Sequence, residues 1–256
     1  MSIESDTGDY DFESMFEEPA DYRPPTPEAK LVSFDRASSD ITSGPEVIQI
    51  RLLGTHPLWG HHLWNAAKVF AKYLDTHKED VTNKTVLELG AAGALPSMIA
   101  AANHAQRVVI TDYPDNSLLD NIRKTAELNF PSSSDKPAIV VAGHKWGYDI
   151  EAIKKLNKGE PFDVLILCDL VFNHSEHQGL LESTKQLMGQ NGKAFVVFTH
   201  HRPWLADKDM EFLAKAEQEG MHAEKFIEEY TGAMFDDDPG DERVRGTVHG
   251  FCLSFA

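Results

Sequence analysis

Basic residues are the first thing this sequence lacks. From Met1 to Asp21 there is no Lys or Arg, against eight acids (Glu4, Asp6, Asp9, Asp11, Glu13, Glu17, Glu18, Asp21). Over the 256 residues, 24 Lys and Arg stand against 41 Asp and Glu, a net charge of −17. Binding nucleic acid through its phosphates calls for clustered Lys and Arg, so no nucleic-acid partner is expected. An acidic chain suits a basic protein partner instead. Cysteine is scarce as well. Cys168 and Cys252 stand apart, outside any CxxC pair, which excludes a disulfide scaffold and points to a reducing compartment. No apolar run approaches the roughly 18 residues of a membrane span. The opening MSIESDTGDY has neither the basic nor the apolar region of a signal peptide. A soluble cytoplasmic chain, monomeric and away from membranes, is the expectation.

The acidic start is followed by Arg23-Pro24-Pro25-Thr26-Pro27. Such a segment buries too little apolar surface to offset its ordering entropy, so residues 1–29 are expected to be a disordered tail. Phe12, Met15 and Phe16 are its few residues able to dock on a surface. Residues 30–256 form the expected domain. Val47–Leu52 has the composition of a strand, and Leu63, Ala66, Ala67, Phe70 and Leu74 recur at helical spacing, predicting a helix over His62–Tyr73. Strand-like runs then alternate with helical stretches. The strands are Val86–Leu89, Arg107–Thr111, Ala138–Ala142, Asp163–Cys168 and Ala194–Thr199. The helices are Leu95–Asn103, Asn116–Leu128, Glu176–Met188 and Asp207–Glu219. This alternation predicts a parallel sheet covered on both faces, and the near-continuous apolar runs agree. His222–Tyr230 and Val248–Phe255 are separated by an acidic loop in which no helix is expected, so they should pair as an antiparallel hairpin at the sheet edge. The fold class is α/β: a doubly wound, mostly parallel, seven-stranded Rossmann-like sheet with its last strand reversed.

Glycine is missing where a dinucleotide fold most needs it. In Thr85-Val-Leu-Glu-Leu-Gly-Ala-Ala-Gly-Ala-Leu-Pro-Ser97 the second and third positions of G-x-G-x-x-G are Ala92 and Leu95. Close approach of a pyrophosphate requires those glycines. Glu88, in the strand before the turn, would repel phosphate and attract a cation. Asp112 ends the next strand, 22 residues after Gly90, where an acid takes the ribose hydroxyls of a bound nucleoside. A ribose, no phosphate and a positive charge describe S-adenosylmethionine. The plainer alternative for Asp112 is a surface acid in the turn Asp-Tyr-Pro.

TVLELGAAGALPS followed by VVITDYP resembles the first two motifs of a seven-strand class I methyltransferase. HPLWGHHLWNAA, GHKWGYD and CDLVFNHSEH carry a resemblance to the lysine-directed protein methyltransferases of that fold. FEEPADYRPP, TSGPEV, LWGHHLWNA and DLVFNH are closest to the fungal members that methylate the N-terminus and an adjacent lysine of translation elongation factor 1-alpha. The resemblance runs from about Phe12 to the end. Two positions depart from the family pattern: its E-x-G-x-G-x-G turn has Ala92 and Ala94 in place of glycines, and its Asp-x-x-Tyr reads Asp169-Leu-Val-Phe172.

The resemblance implies an S-adenosylmethionine-dependent protein methyltransferase and a set of roles. Gly90, Ala91 and Ala92 border the methionine part of the cofactor, with Glu88 near its amino group. Asp112, with Tyr113 beside it, takes the ribose. Trp146 walls the adenine, unless it is an ordinary core tryptophan. Cys168 lines the other side, and Trp64, with Trp59 as competitor, is the upstream cofactor tryptophan. Asp169 is the candidate for orienting the amine. Phe172, Trp204 and Tyr230 could form an aromatic wall for a methylated cation, or simply pack. His174, His177, His200 and His201 should line the substrate cleft or cap a helix; H-S-E-H lacks the spacing of a metal site, so no metal is expected. The acidic loop after Phe235 could receive a basic peptide. A small-molecule methyltransferase and a non-catalytic binding module on the same scaffold are the competing readings. A nicotinamide oxidoreductase lacks its glycines here.

Overall fold

The computed structural model describes residues 27–37, 39, 41–131, 138–235 and 237–256. The acidic tail, with Phe12, Met15 and Phe16, falls outside the described residues up to position 26. In chain order the elements are β1 (Lys30–Asp35), β2 (Val47–Leu52), α1 (Asn65–Thr76), β3 (Thr85–Leu89), α2 (Leu95–Ala102), β4 (Arg107–Asp112), α3 (Asn116–Asn129) and β5 (Ile139–Gly143). There follow α4 (Ile150–Leu156), β6 (Phe162–Cys168), α5 (His177–Leu187), β7 (Met188–Thr199), α6 (Ala206–Gln218), β8 (Met221–Tyr230), α7 (Glu242–Gly246) and β9 (Thr247–Phe255).

Seven strands make one sheet in the order β5-β4-β3-β6-β7-β9-β8. Pairs from β5 to β7 are parallel; β9 runs antiparallel to both β7 and β8. The last strand is therefore reversed, and it lies inside the sheet with β8 at the edge. The chain leaves β3 toward β4 and β5, then returns to β6 on the other side. Strand order reverses between β3 and β6, which opens a crevice at the carboxyl ends of those strands.

Period-two alternation sorts each strand between two cores. Val86, Val108, Ile110, Val164 and Ile166 pack with α1, α2, α3 and β2. Leu87, Val109, Leu165, Leu167 and Phe198 pack with α4, α5 and α6. Burial of each such side chain contributes about 1.5–3 kcal/mol. Glu88 shares the parity of Val86, so it faces α2.

The structure adds elements that the sequence pattern did not predict. β1 pairs antiparallel with β2 as a separate two-stranded ribbon, Lys30 opposite Leu52 and Asp35 opposite Val47. The other edge of β2 is covered by a polar stripe on α3. Asn129 and Asn121 donate to the carbonyls of Gln49 and Arg51, at 2.7 Å each, while Gln49 and Arg51 donate to Asn129 and Thr125. α4 buries only Ile150 and Ile153, too few for a visible period. α7 occupies the β8–β9 connection, where no helix was expected; Asp241 caps it by accepting from Val244 N. α1 begins at Asn65 rather than His62. His61 and His62 belong instead to an irregular segment knitted by ring contacts, Trp59 on His61 and His61 on His62.

Candidate active site

The turn after β3 is built on left-handed residues. Gly90 has φ +61°, and Ala92 and Ala94 have φ 46° and 59°. Both alanines stand where the family pattern has glycine, and both carry steric strain for it. Gly90 has a second constraint. A methyl group there would meet Leu170 Cδ2 at 2.6 Å and Trp146 Cζ2 at 3.2 Å. Beneath the turn, Gly93 lies against Ile50 and Leu52 of β2, so the extra ribbon supports the loop.

Asp112 ties the turn to β4. Its Oδ2 accepts from Ala92 N at 2.7 Å and its Oδ1 from Tyr113 N at 2.7 Å. Burial raises its pKa, and these two N–H groups offset part of the rise. Glu88 is buried, with Oε2 accepting from Ser97 N in the first turn of α2 at 3.1 Å. Burial pushes its pKa up to about 8, against the Ser97 hydrogen bond. Neither carboxyl forms an ion pair among the described residues.

The crevice is a cavity of about 560 Å³, within the size of a small-molecule site. Glu88, Gly90, Ala91, Ala92, Asp112 and Tyr113 line it from the β3 and β4 ends; Trp146 and Cys168 line it from the β5 and β6 ends. Trp59 and Trp64 close it from the segment before α1, and Asp169 and Phe172 complete it. All the residues singled out from the sequence for the cofactor, together with Asp169 for the amine, thus meet at one cavity. Burial and the neighbouring Asp169 and Glu88 raise the Cys168 thiol well above its ordinary pKa; it is a wall, not a thiolate.

Asp169 sits just beyond β6 with φ 55° and its N–H on Val197 O. Its Oδ1 accepts from Thr199 N at 3.1 Å and from His201 Nε2 at 3.0 Å. Its Oδ2 is buried and has no hydrogen-bond partner among the described residues, an orphan acceptor on a residue that lines the cavity.

Several expectations are corrected. Trp204 and Tyr230 do not line the cavity; both are more than half exposed, and Tyr230 donates to Glu242. They form no wall with Phe172. The histidines do not converge on the cleft either. His174 and His200 each lie 2.7 Å from one oxygen of Asp209, on α6, and His177 Nε2 donates to Val171 O. Among the described residues no group of three metal-ligating side chains could hold an ion. The sequence reading missed His144, Leu170, Asn173 and Glu176, which also line the cavity. His144, next to Trp146 in the same loop, had the clearest signal. Its Nε2 lies 2.9 Å from Ser183 Oγ, and burial lowers its pKa to about 4.

A sheet of this order, with buried acids at the ends of its first two parallel strands around a nucleoside-sized crevice, is the class I methyltransferase fold. The solved structures agree on the fold. An S-adenosylmethionine-dependent methyltransferase from Streptococcus mutans superposes with a TM-score of 0.59 at 14% identity, covering 91% of this chain and 57% of its own. A methyltransferase solved with S-adenosylhomocysteine gives 0.56 at 13% identity, covering 80% and 53%. Residues 48–219 match the lysine methyltransferase family model. A protein N-terminal and lysine N-methyltransferase of Schizosaccharomyces pombe is 44% identical over 253 residues, covering 96% of this chain and 97% of its own. Its counterpart in Kluyveromyces lactis is 40% identical over 257 residues, covering 94% and 95%. The chain belongs to the lysine methyltransferase family, and it is a methyltransferase. Among the described residues no helix is long and apolar enough to cross a membrane.

Proposed function

We propose that this protein transfers methyl groups from S-adenosylmethionine to the N-terminal α-amine and an adjacent lysine of translation elongation factor 1-alpha, in the cytoplasm. The observation that carries the reading is the pair Glu88 and Asp112. Two carboxyls are buried at one turn, with no ion pair among the described residues. The arrangement fits a cationic nucleoside, whose charge would draw the buried Glu88 into its ionised form, and offers a phosphate no cation. The names of the relatives support an amine of a protein as acceptor, and the motifs shared with the fungal enzymes support the elongation factor.

The residues present fit the cofactor. Asp112 uses one lone pair of each oxygen on the backbone, which leaves one on each for ribose hydroxyls. Glu88 would hold the α-amino group, Trp146 would face the base and Cys168 would close the opposite side. When bound, S-adenosylmethionine supplies a methyl carbon already activated by its sulfonium. The protein then has to orient the amine and exclude water. Asp169 Oδ2, the orphan oxygen, is the acceptor that would hold an amine N–H, with Phe172 beside it. The amine must be neutral to attack. An α-amine, with a pKa of about 7.7–8.0, is partly neutral at physiological pH, whereas a lysine at about 10.4 has to shed its proton on docking.

The test uses an extract of cells lacking this protein, incubated with purified enzyme and methyl-labelled cofactor. Label at the mass of the elongation factor, absent with Asp112→Ala, supports the reading. Label confined to other proteins, or no label, overturns it.

A further inference from the structure

Asp169 faces two ways. It lines the cavity; its Oδ2 is buried with no partner among the described residues, while its Oδ1 is held by His201. His201 does not line that cavity. It lines a small neighbouring one with Asn65, Thr199, Phe235, Asp238 and Arg245. Its ring is fixed by an edge contact with Trp64 at 4.7 Å and another with Phe172 at 6.1 Å. Both aromatic residues line the main cavity, which the imidazole does not. A group placed this way can set the charge behind the carboxylate without touching what the carboxylate holds.

We propose that His201 is a positioning residue whose proton competes with the substrate's amine cation for Asp169. The inference rests on the reading of Asp169 as the acceptor for the amine. With a neutral imidazole, the His201–Asp169 pair carries one negative charge toward the cavity. With an imidazolium it is neutral overall, and its attraction for a cation in the cavity falls. A bound cation therefore favours loss of the His201 proton to solvent, and lower pH weakens binding. The charged groups acting on His201 come from several elements. Asp169 follows β6, Asp209 lies on α6 and Asp238 lies on the β8–β9 connection, while Arg245 of α7 lines the same small cavity. Burial works against the charged ring, but the charge and hydrogen bond of Asp169, with Asp209 and Asp238, raise its pKa above 6.5. That brings the titration toward the working pH range.

The probe is a short peptide with an N-terminal guanidinium group, which keeps N–H donors for Asp169 and whose charge does not change over this pH range. Its Kd is measured between pH 5.5 and 8.5 on protein saturated with S-adenosylhomocysteine, for wild type and His201→Gln. Gln keeps an N–H toward Asp169 and cannot titrate. The expected wild-type affinity falls about tenfold toward acid pH, the effect of a one-unit pKa change on binding, and the variant is flat. The same slope in both proteins, or no slope in wild type, overturns the inference. Should the variant fail to bind S-adenosylhomocysteine, wild type alone decides the matter through calorimetry in buffers of different ionisation enthalpy at pH 6.5. Proton release on peptide binding supports the inference, and its absence overturns it. If wild type does not bind the peptide at any pH, the amine site itself is wrong, a failure distinguishable from the others.

Discussion

Replacing Glu88 with Gln should stabilise the ligand-free protein and weaken its hold on the cofactor. Glu88 is buried, makes one backbone hydrogen bond and forms no ion pair among the described residues. Its pKa is pushed up to about 8 from an ordinary value of 4.5. The unfolded chain ionises near the lower value and the folded chain near the higher. The fold therefore prefers the neutral acid. The penalty is absent below about pH 4.5, grows as the pH rises, and levels off above about 8. Linkage puts it below about 1 kcal/mol at pH 5, about 3 kcal/mol at pH 7 and about 5 kcal/mol at pH 9. Gln has no such titration and keeps a carbonyl for Ser97 N. Thermal denaturation at the three pH values should show the variant's advantage growing with pH, by roughly 6–12 °C in Tm at pH 7. Binding should move the other way. Loss of a charge-assisted hydrogen bond, worth about 1.5–3 kcal/mol, raises the Kd for S-adenosylmethionine about 10- to 100-fold. A Glu88→Gln variant whose advantage does not vary with pH would refute the burial argument. Unchanged cofactor affinity would refute the role of Glu88.

Ala92→Gly relieves a left-handed alanine at φ 46°; strain of about 1–2 kcal/mol less the greater unfolded-state entropy of glycine should leave a gain of about 0.5–1 kcal/mol in urea denaturation. The reverse change at the neighbouring turn position, Gly90→Ala, places a methyl group 2.6 Å from Leu170 Cδ2 at φ +61°. It should cost about 2 kcal/mol of stability and weaken cofactor binding, both read from Tm with and without ligand. Asp112→Asn keeps the side-chain shape but loses charge toward the ribose and turns an N–H donor toward Ala92 N or Tyr113 N, so calorimetry should find S-adenosylmethionine bound at least about tenfold more weakly. Unaltered affinity there would make Asp112 only a brace for the turn.

The sheet was legible because its strands are apolar on both faces and its helices have a strong period. The place of the candidate site was legible because a parallel sheet gathers the carboxyl ends of its strands at one edge. Glu88, Asp112 and Asp169 lie at the carboxyl ends of strands that the alternation marked as parallel, and they line one cavity. What escaped detection was carried by tertiary contacts. β1 depends on its pairing with β2; β2 was legible as a strand, but its place beside α3 rests on the side chains of Asn121, Thr125 and Asn129 some 70–80 residues away. α4 shows only two buried residues. The histidines after β6 and β7 promised a common cleft, but Asp209 claims His174 and His200, and its position on α6 has no local signature. Trp204 and Tyr230 failed as cleft residues because strand-end position says nothing about which way a loop turns. The two left-handed alanines show the same limit from the other side: the family's glycines are absent, yet the backbone keeps the shape that favours them.

The most direct measurement is mass spectrometry of the N-terminal peptide of unmethylated elongation factor 1-alpha. The purified factor is incubated with this protein and S-adenosylmethionine, with Asp112→Ala in parallel. Methyl groups on the α-amine and the adjacent lysine, made by wild type and not by the variant, are the expected result. An unmodified N-terminal peptide alongside a cofactor that binds would contradict the proposed substrate.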